Sequence, residues 1–518
     1  MKLKRQSLVS QGSLSRMLQA AATAWNSKKF QEGIEIMERA SRLDPANVGI
    51  LLDLGRWQGL RYNYSAADQC FEKAARIAPN KAEALAIAGM NSRDFSNFEM
   101  AERYYLRALE QKNVAPRIFA WLAELYERLR RLDEAAGMVE RALHLNSNCA
   151  PALLVKARLE RQAGGRLEEA ERLIRSFVTN SNADAWIQAQ ACYELGMILD
   201  RQGKYDDAIA AFAQAKAIMH PQMERVIVEL QIVRRRIKDM QANLSADLTK
   251  RWLDNAPALL PPRRLTLLGG HPRSGTTLLE QVLDSHPDII SMEETEVFHD
   301  DAYMPLVNRM PEGTPILSIL EPAPADALQR SRANYFRSAE LLLGQPIGDR
   351  LLIDKNPSLT FLIPPFIRIF PETKLLIALR DPRDVVLSCF MQPIRTGQGS
   401  AAYLRIQSTV EEYAAMMSLW QTLRPMLEGR YLEVRYEDMV EDLESVARRT
   451  LEFLGVPWDA RVLGFDEHAR QKVVRSPTYA DVTQPVYKRA VGRWRNYQKY
   501  LEPQLAKLEP FVKAFGYE

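Results

Sequence analysis

Four alanines in the first third of the chain stand 34 residues apart: Ala40, Ala74, Ala108 and Ala142, with Ser176 continuing the series. Three residues before each lies a larger apolar side chain, namely Met37, Phe71, Tyr105, Val139 and Leu173. Seven residues before the alanines lie Gly33, Ala67, Ala101 and Ala135, and further small residues recur at Ala21, Gly55, Gly89, Ala123 and Ala157. Such a period predicts antiparallel helix pairs whose crossings need small side chains. Each pair can bury its apolar face only against the next pair, so the units must stack. Pro45 and Pro79 close the first two units, and the pattern returns after a short insertion as Gly196, Ala208, Phe212 and Ala215.

This pattern resembles the tetratricopeptide repeat, with about six units between Leu14 and His220. The resemblance implies an all-α solenoid over residues 14–222, and a solenoid alone names no ligand. Charge runs such as "ERLRRLDE" read as solvated faces. From Gln222 to about Ala256 the helical period continues without the repeat, in "ERVIVELQIVRRRIKDM", which predicts a capping and connecting helix. "NAPALLPPRR" then breaks it, giving a connecting region over 223–262 and a second domain over 263–518.

Composition sets bounds on function. The 518 residues are 47% hydrophobic and 26% charged, an ordinary soluble balance. A net charge of +4 is too mild to indicate nucleic-acid binding, so any basic site must be local. Cys70, Cys149, Cys192 and Cys389 have no metal-like spacing and read as small core hydrophobes in a reducing compartment. No apolar run approaches the roughly 18 residues that span a bilayer, and no secretory leader is evident. The expectation is a cytoplasmic protein with no integral membrane segment.

The second half is organised around "LTLLGGHPRSGTTLLEQVLDSHP", Leu265 to Pro287. An apolar strand runs into a glycine-bounded loop and then a helix. Gly270 and Gly275 are spaced as in a nucleotide phosphate loop, but Thr276 stands where that loop has lysine. Backbone N–H groups of the loop and the helix N-terminus still make an anion site. Arg273 supplies charge there, and Thr276 and Thr277 supply hydroxyls. Two further strand-loop-helix units follow. "LLIDKNPSLTFLIPPFIRIF" places Lys355 at a strand end, and "KLLIALRDPRDVVLSCF" places Arg380 there with Ser388 eight residues on. "RYLEVRYEDMVEDLESVARRTLEFLGV" adds one more strand and helix. These residues gather at the C-terminal edge of a parallel sheet, where open α/β sheets bind ligands.

Taken together, "HPRSGTT" and the Arg380–Ser388 spacing resemble the sulfotransferases that use 3′-phosphoadenosine 5′-phosphosulfate (PAPS), in particular the protein-tyrosine sulfotransferase branch. The likeness covers approximately Leu265 to Tyr517. It implies a P-loop-like α/β domain with a central parallel sheet following the all-α tetratricopeptide solenoid. It also implies that Arg273, Ser274, Gly275, Thr276 and Thr277 hold the 5′-phosphosulfate, and that Arg380 and Ser388 grip the 3′-phosphate. In "SMEETEVFH" it makes Glu294 the general base, with Glu293 and Glu296 as competing carboxylates. Lys355 and Arg273 would stabilise charge at the transferring group, Tyr436 would lie near the adenine, and Arg493 of "QPVYKRAVGRWRNY" would reach the nucleotide. A kinase loop needs lysine and Mg²⁺ for a triphosphate tail. A sulfuryl group carries less charge, so no metal is expected.

His271 and His286 are the histidines nearest the loop, and "DSHP" reads as a helix terminus that gives His286 a structural role. "SPTYADV" lacks the paired serines of the tyrosylprotein branch, which leaves the acceptor open among peptide tyrosine, a sugar, a lipid and a small phenol. Alternative readings are another P-loop nucleotide-dependent kinase and a non-catalytic tetratricopeptide scaffold. All the motif residues follow Leu265, so the donor site is expected to be complete without the repeats. The repeats would then recruit an acceptor peptide, protein or small hydroxyl compound, or mediate self-association.

Overall fold

The computed structural model describes residues 2–180, 184–254, 259, 261–311, 313–394, 398–471, 482–483 and 488–517. They form two compact units, Met1–Leu159 and Glu160–Glu518, and the division falls within the helix Ala150–Ala163.

The first unit is a succession of helix pairs: Lys2–Asn26 with Phe30–Leu43, Val48–Leu60 with Tyr64–Ile77, Lys81–Asp94 with Phe98–Leu109, and Pro116–Arg128 with Leu132–Leu145. The 34-residue period has two physical causes. At each crossing a larger side chain of the second helix faces a small residue of the first, and in the second and third pairs it is a ring. A Cβ on Gly55 would stand 2.4 Å from the Phe71 ring, and one on Gly89 would stand 2.8 Å from the Tyr105 ring. In each turn a residue adopts left-handed backbone, at Lys28, Tyr62, Ser96 and Arg130 with φ of 61°, 66°, 61° and 61°. Asparagines then restart the helices: Asn47, Asn63, Asn80 and Asn97 each accept a backbone N–H three residues on, at 3.0–3.2 Å.

In the second unit the helices Leu167–Asn180, Ala185–Arg201 and Tyr205–Met219 come first. Gly196 and Phe212 repeat the ring-on-glycine contact, with a Cβ distance of 2.7 Å. The connecting helix differs from expectation. It is two helices, Glu224–Asn243 and Ala246–Asp254, because Leu244 is extended and the Ser245 hydroxyl accepts the Leu248 N–H at 3.2 Å. Half of the break that follows, residues 255–258 and 260, lies outside the described residues. Among the described residues no helix is long and apolar enough to cross a membrane. All four cysteines are unpaired, three of them buried.

Five strands then make one parallel sheet: β1 (Leu265–Gly270), β2 (Ile289–Glu293), β3 (Leu351–Lys355), β4 (Lys374–Leu379) and β5 (Tyr431–Arg435), in the order β2-β3-β1-β4-β5. The inner strands β1 and β3 and the edge strand β2 are buried at every residue, as a sheet covered on both faces requires. On one side Leu268, Ile353, Leu376 and Val434 pack against Leu279, Val282 and Leu283 of the helix Thr276–Asp284 and against Met439 and Leu451. Because β1 is central and the chain turns first to one side and then to the other, the crevice beside its C-terminal end is a topological switch point.

Candidate active site

Register places the site. Glu293 of β2 lies opposite Lys355 of β3, Leu268 of β1 opposite Lys355, Gly270 of β1 opposite Ala378 of β4, and Leu379 of β4 opposite Arg435 of β5. All five strands therefore end at one edge, and a residue marked out in the sequence stands at or just after the end of each: the loop of Arg273, then Glu294, Lys355, Arg380 and Tyr436.

The loop after β1 is held tightly. Gly270 has φ 119°, and a Cβ there would stand 2.3 Å from Ala378 O. Thr360 Oγ1 donates to Gly270 O at 2.7 Å and accepts the Gly270 N–H at 2.8 Å, so one hydroxyl pins the end of β1. Ser274, Thr276 and Thr277 are buried, and Gly275 begins the helix Thr276–Asp284 in left-handed backbone with no side-chain cap. A glycine there offers no side chain to cap the first turn.

Arg273 and Arg380 define one side of the loop. Arg273 has left-handed backbone, φ 72°, and its Nε donates to Ser388 Oγ at 3.1 Å. Arg380 donates through Nη1 to Arg273 O at 3.2 Å and through Nη2 to Ala490 O. Its guanidinium sits 5.0 Å from the centre of the Tyr436 ring, while its buried Nε has no hydrogen-bond partner among the described residues. Tyr436 closes the group, because a Cβ on Gly275 would stand 2.7 Å from its ring. Arg273, Ser388, Arg380 and Tyr436 are thus one cluster.

Glu294 and Lys355 define the other side. Lys355 is fully buried, and its Nζ lies 2.9 Å from Glu294 Oε1 and 3.5 Å from Glu293 Oε1. Burial alone would lower the lysine, but Glu294, Glu293 and Glu280 together hold it above its ordinary value. Glu294 adopts φ 50°, its N–H donates to Lys355 O at 2.7 Å, and its side chain is about a third exposed. Glu293, one residue earlier on the strand, is buried. The left-handed bend turns Glu294 out of the sheet while Glu293 remains in it. Next to Lys355, burial pushes Asp354 up to about 7, although Tyr335 donates to it at 2.9 Å.

Several neighbours were not anticipated from the sequence. Asn356 Nδ2 donates to Thr295 O at 2.8 Å and so ties the segment after Glu294 to the end of β3. Asp384 accepts the N–H groups of Gly492 and Trp494 at 2.7 and 2.8 Å, fastening the C-terminal segment beside Arg380. Glu296, His299 and Asp300 bring ligand atoms within 4.8 Å of one another, a grouping that could hold a metal ion. A carboxylate and a histidine three residues apart, beside a second carboxylate, were the available signal for it.

His286 is a turn-binding residue. Its Nδ1 accepts the Asp288 N–H at 3.0 Å, so Nε2 carries the proton and donates to Pro457 O at 2.9 Å. His271 is fully buried, and burial pulls it down to about 4, which keeps it neutral.

Arg493, expected near the nucleotide, pairs through its Nη2 with Asp200 at 2.5 Å. Asp200 belongs to the helix Ala185–Arg201, so a repeat residue touches this region although every motif residue follows Leu265. A solenoid end exposes apolar surface that something must cover. Here the C-terminal segment does so. Residues 476–481 of "SPTYADV" and 484–487 of "QPVYKRAVGRWRNY" lie outside the described residues.

Residues 266–460 match the model of the sulfotransferase family, and residues 88–148, 122–185 and 189–219 match tetratricopeptide-repeat models. An uncharacterized protein of Aquifex aeolicus (strain VF5) is 24% identical over 408 residues, which cover 76% of this chain and 50% of that protein. This chain therefore corresponds to half the length of that relative. Protein-tyrosine sulfotransferase 1 of Danio rerio is 28% identical over 271 residues, covering 49% of this chain and 72% of that protein. Among solved structures, the sulfotransferase domain of the Synechococcus PCC 7002 olefin synthase is 24% identical with a TM-score of 0.34, covering 45% of this chain and 88% of that one. The chain is thus similar to tetratricopeptide-repeat proteins over residues 88–185 and 189–219 and to the sulfotransferase family over residues 266–460.

Proposed function

We propose that this protein transfers a sulfuryl group from PAPS to an acceptor hydroxyl. The observation that carries the reading is the pair of clusters flanking the loop after β1: Arg273, Ser388, Arg380 and Tyr436 on one side, Glu294 and Lys355 on the other. Ser274, Gly275, Thr276 and Thr277 receive the 5′-phosphosulfate on loop and helix N–H groups. Arg380, whose buried Nε has no partner among the described residues, and Ser388 take the 3′-phosphate. Tyr436 stacks beside the adenine, and Arg493 reaches the nucleotide from the C-terminal segment.

In the reaction Glu294 accepts the proton of the acceptor hydroxyl as its oxygen attacks sulfur in line. A new S–O bond forms while the bond from sulfur to the 5′-phosphate oxygen breaks. Lys355 and Arg273 stabilise the charge developing on that oxygen, and 3′-phosphoadenosine 5′-phosphate leaves. No metal is required for any of these steps.

The acceptor class we infer is a tyrosyl hydroxyl of a peptide or protein, supported by the relatives named protein-tyrosine sulfotransferases. The repeats would present that acceptor, since helical solenoids offer an extended concave surface. The test is transfer of labelled sulfate from PAPS to a tyrosine peptide, a sugar, a lipid and a small phenol, with EDTA present. Label on the tyrosine peptide supports the reading. Transfer to none of the four rejects sulfotransfer, and transfer to another class alone rejects the tyrosyl acceptor.

A further inference from the structure

The helices Ala185–Arg201 and Tyr205–Met219 aim two buried side chains at one backbone atom. Tyr193 Oη donates to Gln392 O, and Lys216 Nζ donates to the same oxygen at 2.7 Å. Lys216 is only 3% exposed, with its ammonium 5.1 Å from the Tyr193 ring centre and 5.4 Å from that of Phe390. Burial pulls it down to about 7, so a lysine here costs stability that an apolar residue of similar length would not. What lysine supplies and methionine lacks is a donor, present in either charge state.

Gln392 follows the helix Pro382–Phe390, where carbonyls have no intrahelical partner. Its N–H donates to Cys389 O at 3.1 Å and its side chain donates to Ser388 O at 3.4 Å. Ser388 Oγ accepts from Arg273 Nε. A continuous series of hydrogen bonds therefore runs from Tyr193 and Lys216 through Gln392 and Ser388 to the loop arginine. The same helix pair grips the C-terminal segment as well: Asp200 accepts from Tyr497 at 2.6 Å, and Asp206 from Lys499 at 2.8 Å and Tyr500 at 2.9 Å.

We propose that Tyr193 and Lys216, residues of the last repeat, are positioning residues for the 3′-phosphate clamp, holding Gln392 so that Ser388 keeps the orientation that selects nucleotides bearing a 3′-phosphate. This rests on the donor reading above. A clamp built from hydroxyl and guanidinium donors loses strength when its support is loosened by a fraction of an ångström. The repeat supplies that support from outside the motif region.

The experiment measures equilibrium binding of 3′-phosphoadenosine 5′-phosphate and of adenosine 5′-phosphate to the full chain and to Y193F and K216M. Wild type should prefer the 3′-phosphorylated nucleotide. Each variant should lose about fivefold to tenfold of that preference, with binding of adenosine 5′-phosphate within about twofold of wild type. A purely structural role would lower the melting temperature or weaken both nucleotides alike, leaving the ratio intact. Y193F removes a single oxygen and carries the test by itself if K216M does not fold. A preference unchanged from wild type overturns the inference while the donor reading stands. Absence of any preference in wild type overturns the donor reading and the inference with it.

Discussion

Arg273 and Ser388, 115 positions apart in the chain, are joined by a hydrogen bond of 3.1 Å from Nε to Oγ. The two stretches that carry them, the loop after β1 and the helix after β4, are thereby joined into a single surface. Arg273 reaches Ser388 from left-handed backbone, φ 72°, a conformation that costs a residue with a Cβ roughly 1–2 kcal/mol. Strain of this kind persists where the surrounding structure enforces it. Here Arg380 enforces it by holding the Arg273 carbonyl.

Arg380→Ala should weaken binding of 3′-phosphoadenosine 5′-phosphate by roughly 1.5–3 kcal/mol, the worth of hydrogen bonds to a charged group. It removes both the Nε donor, which has no partner among the described residues, and the bond that sets Arg273. Arg380→Lys should recover only part of the loss, since a lysine lacks the planar fork. Calorimetric titration of the two variants checks this, and full recovery by lysine would reduce the arginine to a point charge.

Glu294→Gln should lower turnover by about 10²–10⁴-fold, the usual range for a general base, with donor affinity nearly unchanged. Glu293→Gln should be far milder in turnover, because Glu293 stays buried in β2 while the φ of 50° at Glu294 turns that residue toward solvent. Steady-state rates and donor titrations on both variants separate the two carboxylates. An inactive Glu293→Gln beside an active Glu294→Gln would reverse the assignment.

Lys355→Met should slow transfer and also destabilise the fold, by about 3–5 kcal/mol, because it strands the buried Glu293 beside it. The pH dependence has a definite sign. The folded lysine is held above the ordinary 10.5, so its stabilisation is fully present below pH 10.5 and is lost as pH rises through the higher folded value. The difference in denaturant stability between wild type and variant should therefore be constant near neutrality and shrink at high alkalinity. The catalytic defect should be smaller with donors carrying better leaving groups.

The repeats and the sheet were legible because their signals are periodic or contiguous. Ala40, Ala74 and Ala108 mark helix crossings directly, and "LTLLGG" can be little other than a strand buried on both faces. Arg380 and Ser388 were legible because a strand end and a helical spacing place both residues locally. The contacts at Thr360, Asn356 and Asp384 were not, since each depends on a tertiary approach that no local spacing encodes. The same holds for Asp200 and Arg493, whose pairing joins segments 293 residues apart in sequence. The break at Leu244 was missed because apolar periodicity continues through it, while Ser245 restarts the helix as a cap.

Gly275→Ala should impair donor binding more than it impairs folding. A Cβ there would stand 2.7 Å from the Tyr436 ring and would be forced into φ 91°. The cheapest relief is to move Tyr436, and with it the Arg380 guanidinium stacked 5.0 Å from its ring centre. Comparing melting temperature with nucleotide affinity tests this, and a variant that binds normally would show that the ring is free to move.

The most direct test of the donor site is calorimetric titration of the full chain with 3′-phosphoadenosine 5′-phosphate in EDTA. Metal-independent binding, weakened in Arg380→Ala, is the predicted result, and it would also show that Glu296, His299 and Asp300 hold no metal needed for the donor. No binding in EDTA, together with tight binding of Mg-ATP, would contradict the account and return the domain to the kinase-like reading.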